Sequence, residues 1–347
     1  MDSLDNKKDS KVTIKYIAKQ MGISFSTVSK ALKNDPLVKE ETRIAVQEKA
    51  EELGYLPNIF ARGLHRKPTK TIGVILNDIE NPTRTHIIKR VLIEMAKYGY
   101  TTLIFDSQYD VKIEKRNILS VLSRIPDGIV ISPVNKNKEN ILLLQSMFPR
   151  TIILSQISKS IPANYVHMDH KRGGYISAST MIENGHTRNL IITEPLNFPS
   201  SYQFLDGIKQ AYAENNIQMD ENLIVYTVPS IKNGYLAIQD FCAKNKQSVL
   251  PFTGVIANYD IFALGVYNWA VEAGYKIPED ISIIGYDNNP VSGLLTPPLT
   301  TLHMPTEEIA SCCTEILISK LIHNNDSIQN YTFFPHLVMR DSIKKIN

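Results

Sequence analysis

From Thr71 onward the sequence alternates between short apolar runs and longer stretches of helical character. "TIGVIL", "TTLIF", "DGIVIS" and "TIILS" read as strands, with helices expected near 84–98, 112–123 and 138–147. The series resumes with "NLIIT", "LIVYT", "TGVIA" and "ISIIGY", separated by helices near 172–184, 201–215, 233–244 and 260–273. Such βα alternation predicts parallel strands joined by helical crossovers, with helices covering both faces. The series is too long for one compact sheet, so two successive α/β subdomains are expected. Open parallel sheets bind ligands at the carboxyl ends of their strands. In a two-lobed body that places the ligand in the cleft between the lobes.

At 347 residues the chain has ample core for two or three domains. Its 43% hydrophobic and 21% charged residues are ordinary for a globular protein. The net charge of +3 is unevenly spread. Residues 1–70 hold 14 lysines and arginines against 9 acids, and the remainder holds 24 against 26. A basic head on a slightly acidic body points to a polyanion partner for the head. The three cysteines, Cys242, Cys312 and Cys313, lack metal-site spacing and imply no disulfide framework. The polar start "MDSLDNKKDSK" has no signal-peptide core, and no apolar run is long enough for a membrane span. A cytoplasmic location follows as the expectation, with association to the nucleoid.

The head begins with "VTIKYIAKQMGISFSTVSKALKND", which reads as two short helices about a tight turn. Thr13 suits the first N-cap, and Ile14, Ile17, Ala18 and Met21 share one helical face. Gly22 suits a turn that needs positive φ, and Ser24 suits the second N-cap. Ser26, Thr27 and Ser29 are poor choices for stabilising a helix interior. With Val28 and Leu32 packed inward, Phe25, Ser26, Ser29 and Lys30 point outward. A small, hydroxyl-rich, cationic helix start suits a DNA major groove, where hydroxyls bond phosphates or base edges and lysine reaches guanine or phosphate. A third helix over "VKEETRIAVQEKAEELGYLPN" carries Ile44, Ala45, Val46, Ala50 and Leu53 as its apolar set. It is expected to end at Gly54, before Pro57. Pattern alone leaves a purely structural three-helix bundle as an equal reading.

The stretches "TIKYIAKQMGISFSTVSKALKN", "VKEETRIAVQEKAEELGYLPN" and "ARGL" resemble the headpiece of the lactose-repressor (LacI/GalR) family. The resemblance continues through "IGVILNDIENP", "MDHKRGGYISASTMIENGHTRNLII", "NYDIFALGVYNWAVEAGYKIPEDISIIGYDN" and "PPLTTLHMP". It implies that Phe25, Ser26 and Lys30 read base edges, while Thr13, Ser24 and Thr27 fasten phosphates. It also implies a hinge over 57–70, with a short helix capped by Asn58 that folds on DNA as a pair. There Leu64 would wedge between central base steps and Arg62 would hold a phosphate. The domain division becomes a disordered 1–11, a helix-turn-helix domain 12–56, the hinge 57–70 and an effector-binding, dimerising body 71–347. The body resembles the periplasmic sugar-binding fold. Its amino-terminal subdomain takes about 71–167 and 301–324 and its carboxyl-terminal subdomain about 168–300 and 325–347, with the third crossing near Asn324.

Asp287 stands where the family places a carboxylate for ligand hydroxyls, and Asp260 reads mainly as a helix N-cap. Three departures alter the usual pocket. Phe204 replaces an arginine, Tyr259 replaces an asparagine, and Thr83 and Arg84 follow "ENP" where aromatic residues are common. Losing an arginine at 204 removes a bidentate donor for vicinal hydroxyls. One expectation is an anionic or phosphorylated effector held by Arg84, Phe204, Tyr259 and Asp287. Its equal rival makes Arg84 a surface charge and Phe204 a cleft filler.

No catalytic constellation is present: the histidines are scattered and neither a phosphate loop nor a nucleophile elbow appears. His186 reads as a turn residue capping a helix end, and Trp269 as core or interface packing. The expected function is that of a sequence-specific DNA-binding regulator, a repressor by default. It would be controlled by a sugar-like small molecule between two lobes and would need neither cofactor nor metal. Its expected partners are a near-palindromic double-stranded operator, a second copy of itself and a phosphocarrier corepressor, with no membrane. A solute-binding protein is the alternative, and an α/β enzyme a more distant one.

Overall fold

The computed structural model describes residues 12–55, 68–134, 138–148, 150–155, 161–245 and 250–346. They fall into two units, residues 12–55 and residues 68–346.

The first unit is three helices: α1 (Ile14–Met21), α2 (Phe25–Ala31) and α3 (Glu40–Glu52). The Thr13 hydroxyl caps α1 by accepting the Tyr16 N–H at 3.2 Å. Gly22 closes α1 at φ 65°, a conformation that strains any residue with a Cβ. Its N–H and that of Ile23 both bond the Ala18 carbonyl. Seven apolar side chains, Ile17, Ala18, Val28, Ala31, Val38, Val46 and Ala50, form the buried core. Ile44 and Ala45, expected inside from the third helix's pattern, are exposed. The helix is short of apolar residues, and it is the stripe through Val46 and Ala50, continued by half-buried Leu53, that joins the headpiece core. Gly54, at φ 65°, follows α3 as expected.

The second unit has two lobes. The first lobe holds strands β1 (Thr71–Leu76), β2 (Thr101–Asp106), β3 (Gly128–Ile131), β4 (Thr151–Ile153) and β5 (Asn164–Met168). Helices α4 (Pro82–Lys97), α5 (Val111–Leu122) and α6 (Lys138–Met147) connect them. The second lobe holds β6 (Asn189–Thr193), β7 (Ile224–Tyr226), β8 (Gly254–Ala257), β9 (Ser282–Asp287) and β10 (Thr300–His303). Its helices are α7 (His170–Glu183), α8 (Pro199–Glu214), α9 (Ile231–Asn245) and α10 (Asp260–Ala273). The chain then returns as α11 (Thr306–Leu321), which packs on α4 of the first lobe, and ends with β11 (Asn330–Phe333) and β12 (His336–Val338).

Each lobe is a six-stranded sheet, ordered β11-β5-β4-β3-β1-β2 and β12-β10-β9-β8-β6-β7. All pairings are parallel except that of β12 with β10. This corrects the subdomain limits read from the sequence. β10 belongs to the second lobe and β11 to the first, so the crossings lie after Met168, after His303 and between Phe333 and His336. The cause is that β11 and β12, only four and three residues long, carry no apolar run of their own. They complete the two sheets as edge strands, β11 beside β5 and β12 beside β10. The linker is also shorter than expected, because Asp127 holds the backbone N–H groups of Thr69 and Lys70 at 2.9 and 2.8 Å.

Close helix crossings in the second lobe depend on glycine. A Cβ at Gly174 of α7 would stand 1.9 Å from the Phe204 carbonyl oxygen of α8, and one at Gly207 of α8 1.9 Å from that of Lys171. His186 does not cap a helix with its ring. The ring is buried and bridges the Thr253 hydroxyl (2.9 Å) and the Lys344 carbonyl (2.8 Å), tying down the carboxyl-terminal tail. Trp269 is core, stacked on Tyr275 at 5.1 Å. No described helix is long and apolar enough to cross a membrane.

Candidate DNA-contact surface and effector cleft

In the headpiece the expected contact groups lie at the start of α2. The Ser24 hydroxyl accepts the Thr27 N–H at 3.0 Å, and the two hydroxyls share a further bond at 2.8 Å. This cap fixes where the helix begins, and thereby which side chains face out. Val28 and Ala31 are buried, so Phe25, Ser26 and Lys30 are exposed and Thr27 and Ser29 are half-buried beside them. Phe25 is 52% exposed, a large aromatic with no core role. Thr13 and Ser24 are exposed as well. Tyr16, in the first turn of α1 and three residues after the Thr13 cap, is 45% exposed and was not singled out in the sequence. Its signal was present, since a tyrosine stands off the Ile17 and Ala18 face. Asn58, Arg62 and Leu64 lie outside the described residues.

The body's cleft is built at the carboxyl ends of the strands, where both sheets reverse their winding order: between β1 and β3 in the first lobe, and between β6 and β8 in the second. From the first lobe come Asp78 just after β1, Thr83 and Arg84 in the first turn of α4, and Tyr109 after β2. The Asn81 side chain caps α4 by accepting the Arg84 N–H at 3.0 Å. From the second lobe come Glu194 after β6, Tyr259 after β8, and Asp287 at the end of β9. Phe198, also of the second lobe, packs edge-on against Tyr109 at 5.5 Å, a contact across the cleft.

The chemistry of this cluster is that of buried acids. Glu194 is 1% exposed, and its Oε2 accepts hydrogen bonds from Tyr259 and Ser200, each at 2.8 Å. Burial raises its pKa, opposed by those two bonds and by the Arg84 charge. Burial raises Asp287 well above the carboxylate range, and the charge of Asp260 adds to the effect. The Thr83 hydroxyl and Arg84 act the other way. Asp287 also sits at φ 118° and Tyr109 at φ 55°, regions that side-chain-bearing residues rarely adopt and that concentrate at ligand clamps. The Arg84 guanidinium donates to the Leu154 carbonyl at 3.4 Å. It lines a cavity of about 20 Å³, room for a single water, together with Met168, His170, Pro199, Gln203 and Met304. The lobes therefore stand close together.

The structure brings Thr83, Arg84, Tyr259 and Asp287 to this cleft and sets Phe204 apart. Phe204 is fully buried in α8, edge-on to Tyr286 at 5.7 Å, and the cavity is lined instead by Gln203. It supports the cleft wall from behind. Asp260 is not an N-cap. The cap position of α10 is Tyr259, and the Asp260 carboxylate accepts bonds from the Asn289 N–H and the Ser292 and Thr301 hydroxyls at 2.5–2.7 Å. Burial lifts its pKa to about 6 against these bonds. Glu194 and Tyr109 were missed, although Glu194 directly follows the strand "NLIIT", the position from which parallel sheets present ligand groups. Among the described residues no group of three or more potential metal ligands converges.

Residues 13–58 match the model described as "Bacterial regulatory proteins, lacI family", and residues 178–343 match that of a periplasmic binding protein-like domain. The chain is 30% identical over 333 residues to the HTH-type transcriptional repressor PurR of Edwardsiella ictaluri, covering 95% of this chain and 96% of that protein. It is 29% identical to the HTH-type transcriptional regulator RegA of Clostridium saccharobutylicum, covering 95% and 98%. In fold it is similar to the Lac repressor dimer bound to operator and the anti-inducer ONPF. The TM-score is 0.80 at 23% identity, covering 96% of this chain and all of that one. A capped helix pair with its hydroxyl face turned out, carried on a two-lobed ligand-binding fold and matched along nearly its whole length by repressors, has one meaning: this chain belongs to the LacI family of bacterial regulatory proteins and is a helix-turn-helix transcriptional regulator.

Proposed function

We propose that this regulator acts as a homodimer on a near-palindromic operator, and that a small molecule closing between its lobes changes its grip on DNA. The observation that carries the first part is the outward face of α2, where Phe25, Ser26 and Lys30 stand clear of the core around Val28. In this reading those three side chains meet base edges in the major groove, with Ser29 beside them. Thr13, Ser24 and Thr27 hold phosphates, as Asn58 and Arg62 do from the hinge, and Leu64 wedges into the central step. One seven-residue helix covers too few base pairs for useful specificity, which favours two heads on two half-sites. The exposed apolar side chains Leu92, Ile93 and Ile104 on one lobe, and Val271 and Leu294 on the other, support a self-association surface. Effector and operator are then linked, each changing the affinity for the other by the same factor.

Selection of bound duplexes from random DNA at several salt concentrations tests the reading. A two-fold symmetric consensus is the expected result, and no enrichment over competitor DNA would end it. Lys30→Ala should lower affinity and reduce the salt slope by about one phosphate contact, or relax one base position if the lysine reads guanine.

A further inference from the structure

We propose that the proton is a second effector of this regulator, sensed where the chain crosses between lobes: His303 and His336 clasp two of the three crossings while neutral and release them in acid. This rests on the reading above that movement of the lobes is coupled to operator DNA. His303 is the last residue of β10, just before the second crossing, and His336 is the first of β12, just after the third. The two stand opposite one another in the antiparallel β10–β12 pair, and their ring centroids lie 4.7 Å apart. His303 is half-buried and His336 exposed, so both rings can be reached by solvent protons. The ladder they close is short, running only from Thr301 opposite Val338 to His303 opposite His336. The clasp is therefore the end of a weak pairing, next to the connections that must bend when the lobes move.

Hydrogen bonding fixes the neutral form of His303. The Arg340 guanidinium donates to the Asn288 side-chain oxygen and to the Leu299 carbonyl, each at 2.6 Å. With its oxygen so held, Asn288 turns its amide nitrogen to His303 Nδ1 at 3.1 Å. That Nδ1 must then accept, and the ring proton sits on Nε2. A proton added at Nδ1 would set donor against donor, and turning the Asn288 amide would only move the clash to Arg340. Asn288 directly follows Asp287 and sits at φ 55°, so a change at His303 reaches the rim of the cleft.

The neighbouring charges also disfavour a doubly charged pair. Burial and the His336 ring hold His303 below the ordinary histidine pKa, and Glu308 of α11 opposes them. Glu308 is exposed, so water screens it. Asp287, the register neighbour of His303 on β9, is pushed toward its neutral form by burial. Two cations stand nearby: Arg340 behind Asn288, and Arg172 of α7, which lies 5.3 Å over the ring of Phe334. The Asp169 carboxylate is engaged in capping α7, where it accepts the Arg172 N–H at 2.9 Å. Headpiece residues 12–55 contain no histidine, so no imidazole of the head competes with this pair.

The test uses the full chain, natural and with His303→Gln or His336→Phe. Glutamine can still accept the Asn288 bond and phenylalanine keeps the ring contact, yet neither takes up a proton. Hydrogen exchange is followed by mass spectrometry at pH 7.5 and 5.5, corrected for the intrinsic effect of pH on exchange. In the natural chain, protection of the peptide spanning 334–340 should fall at least fivefold at pH 5.5, while β6 and β8 keep theirs. In either variant the fall should shrink below twofold, so one soluble variant suffices. Asp260 and His186 also titrate in acid, but both are intact in the variants and cancel from the comparison. Equal protection at the two pH values in the natural chain overturns the inference, as does a loss in both variants equal to the natural one. Operator affinity, measured on the selected duplex, should change between the two pH values at least threefold more in the natural chain than in the variants. Loosening of the hinge without that difference would uphold the clasp and overturn the coupling of lobes to DNA.

Discussion

The headpiece holds its candidate contact groups outside a core of seven small and medium apolar side chains, whereas the body buries its own. Ser26 and Lys30 are exposed, and neither the core nor the cap of α2 uses them. Glu194, Tyr259 and Asp287 are each less than a tenth exposed, and Glu194 and Tyr259 are bonded to each other inside their lobe. The difference follows from the ligands expected of each unit. A duplex is larger than the headpiece and must be met by a convex surface, while a small molecule gains affinity by being enclosed. One consequence is that recognition and stability should separate cleanly in the headpiece and remain entangled in the body.

Changes to the cores should break each unit by itself. Ile17→Ala empties a fully buried position and should cost about 2–5 kcal/mol. Domains of this size rarely hold more than about 3–5 kcal/mol in reserve, so the headpiece should unfold and operator binding vanish. Calorimetry should show the body's transition unmoved. Gly174→Ala is the counterpart in the body. Its methyl group would meet backbone oxygen rather than a yielding side chain, so a loss of roughly 1–3 kcal/mol or more is expected in the body's transition alone.

Smaller changes sharpen the contrast. Ser24→Ala removes a helix cap worth about 1 kcal/mol and loosens Thr27, so headpiece stability and DNA affinity should fall together. Ser26→Ala should leave stability within about 0.5 kcal/mol while still changing the selected DNA sequence. Equal effects of these two on melting would show that the exposed face is structural after all. The smallest effect concerns pH. Burial lowers the pKa of His186, so the stability this ring contributes is present above its unfolded value near 6.5 and is lost as pH falls. Asp260, raised from 3.8 to about 6, works in the opposite direction, because the cost of its buried charge is relieved progressively as pH falls from the higher value toward the lower. Denaturant melts at pH 7.5 and 5.5 should therefore show a smaller acid-side loss for His186→Gln than for the natural sequence.

The headpiece was largely legible in the sequence because its determinants are local. Thr13, Gly22 and Ser24 fix helix ends through contacts within a few residues, and helix ends fix which faces turn outward. The eight strands read from apolar runs, "TIGVIL" through "ISIIGY", are all present in the body; six are buried along their length, which requires apolar residues throughout, while β2 and β7 are partly exposed edges. Tertiary structure alone decided the rest. β10, β11 and β12 are assigned to their lobes by the edges left open to them, and no pattern in "NYTF" or "HLV" announces which sheet will accept it. Glu194, Arg84 and Asp287 lie far apart in sequence, and only the folding of both sheets makes them one electrostatic cluster. Arg84 read alone looks like an anion site. In the fold its charge acts on two buried carboxyl groups, because charge acts through space and the chain records only order.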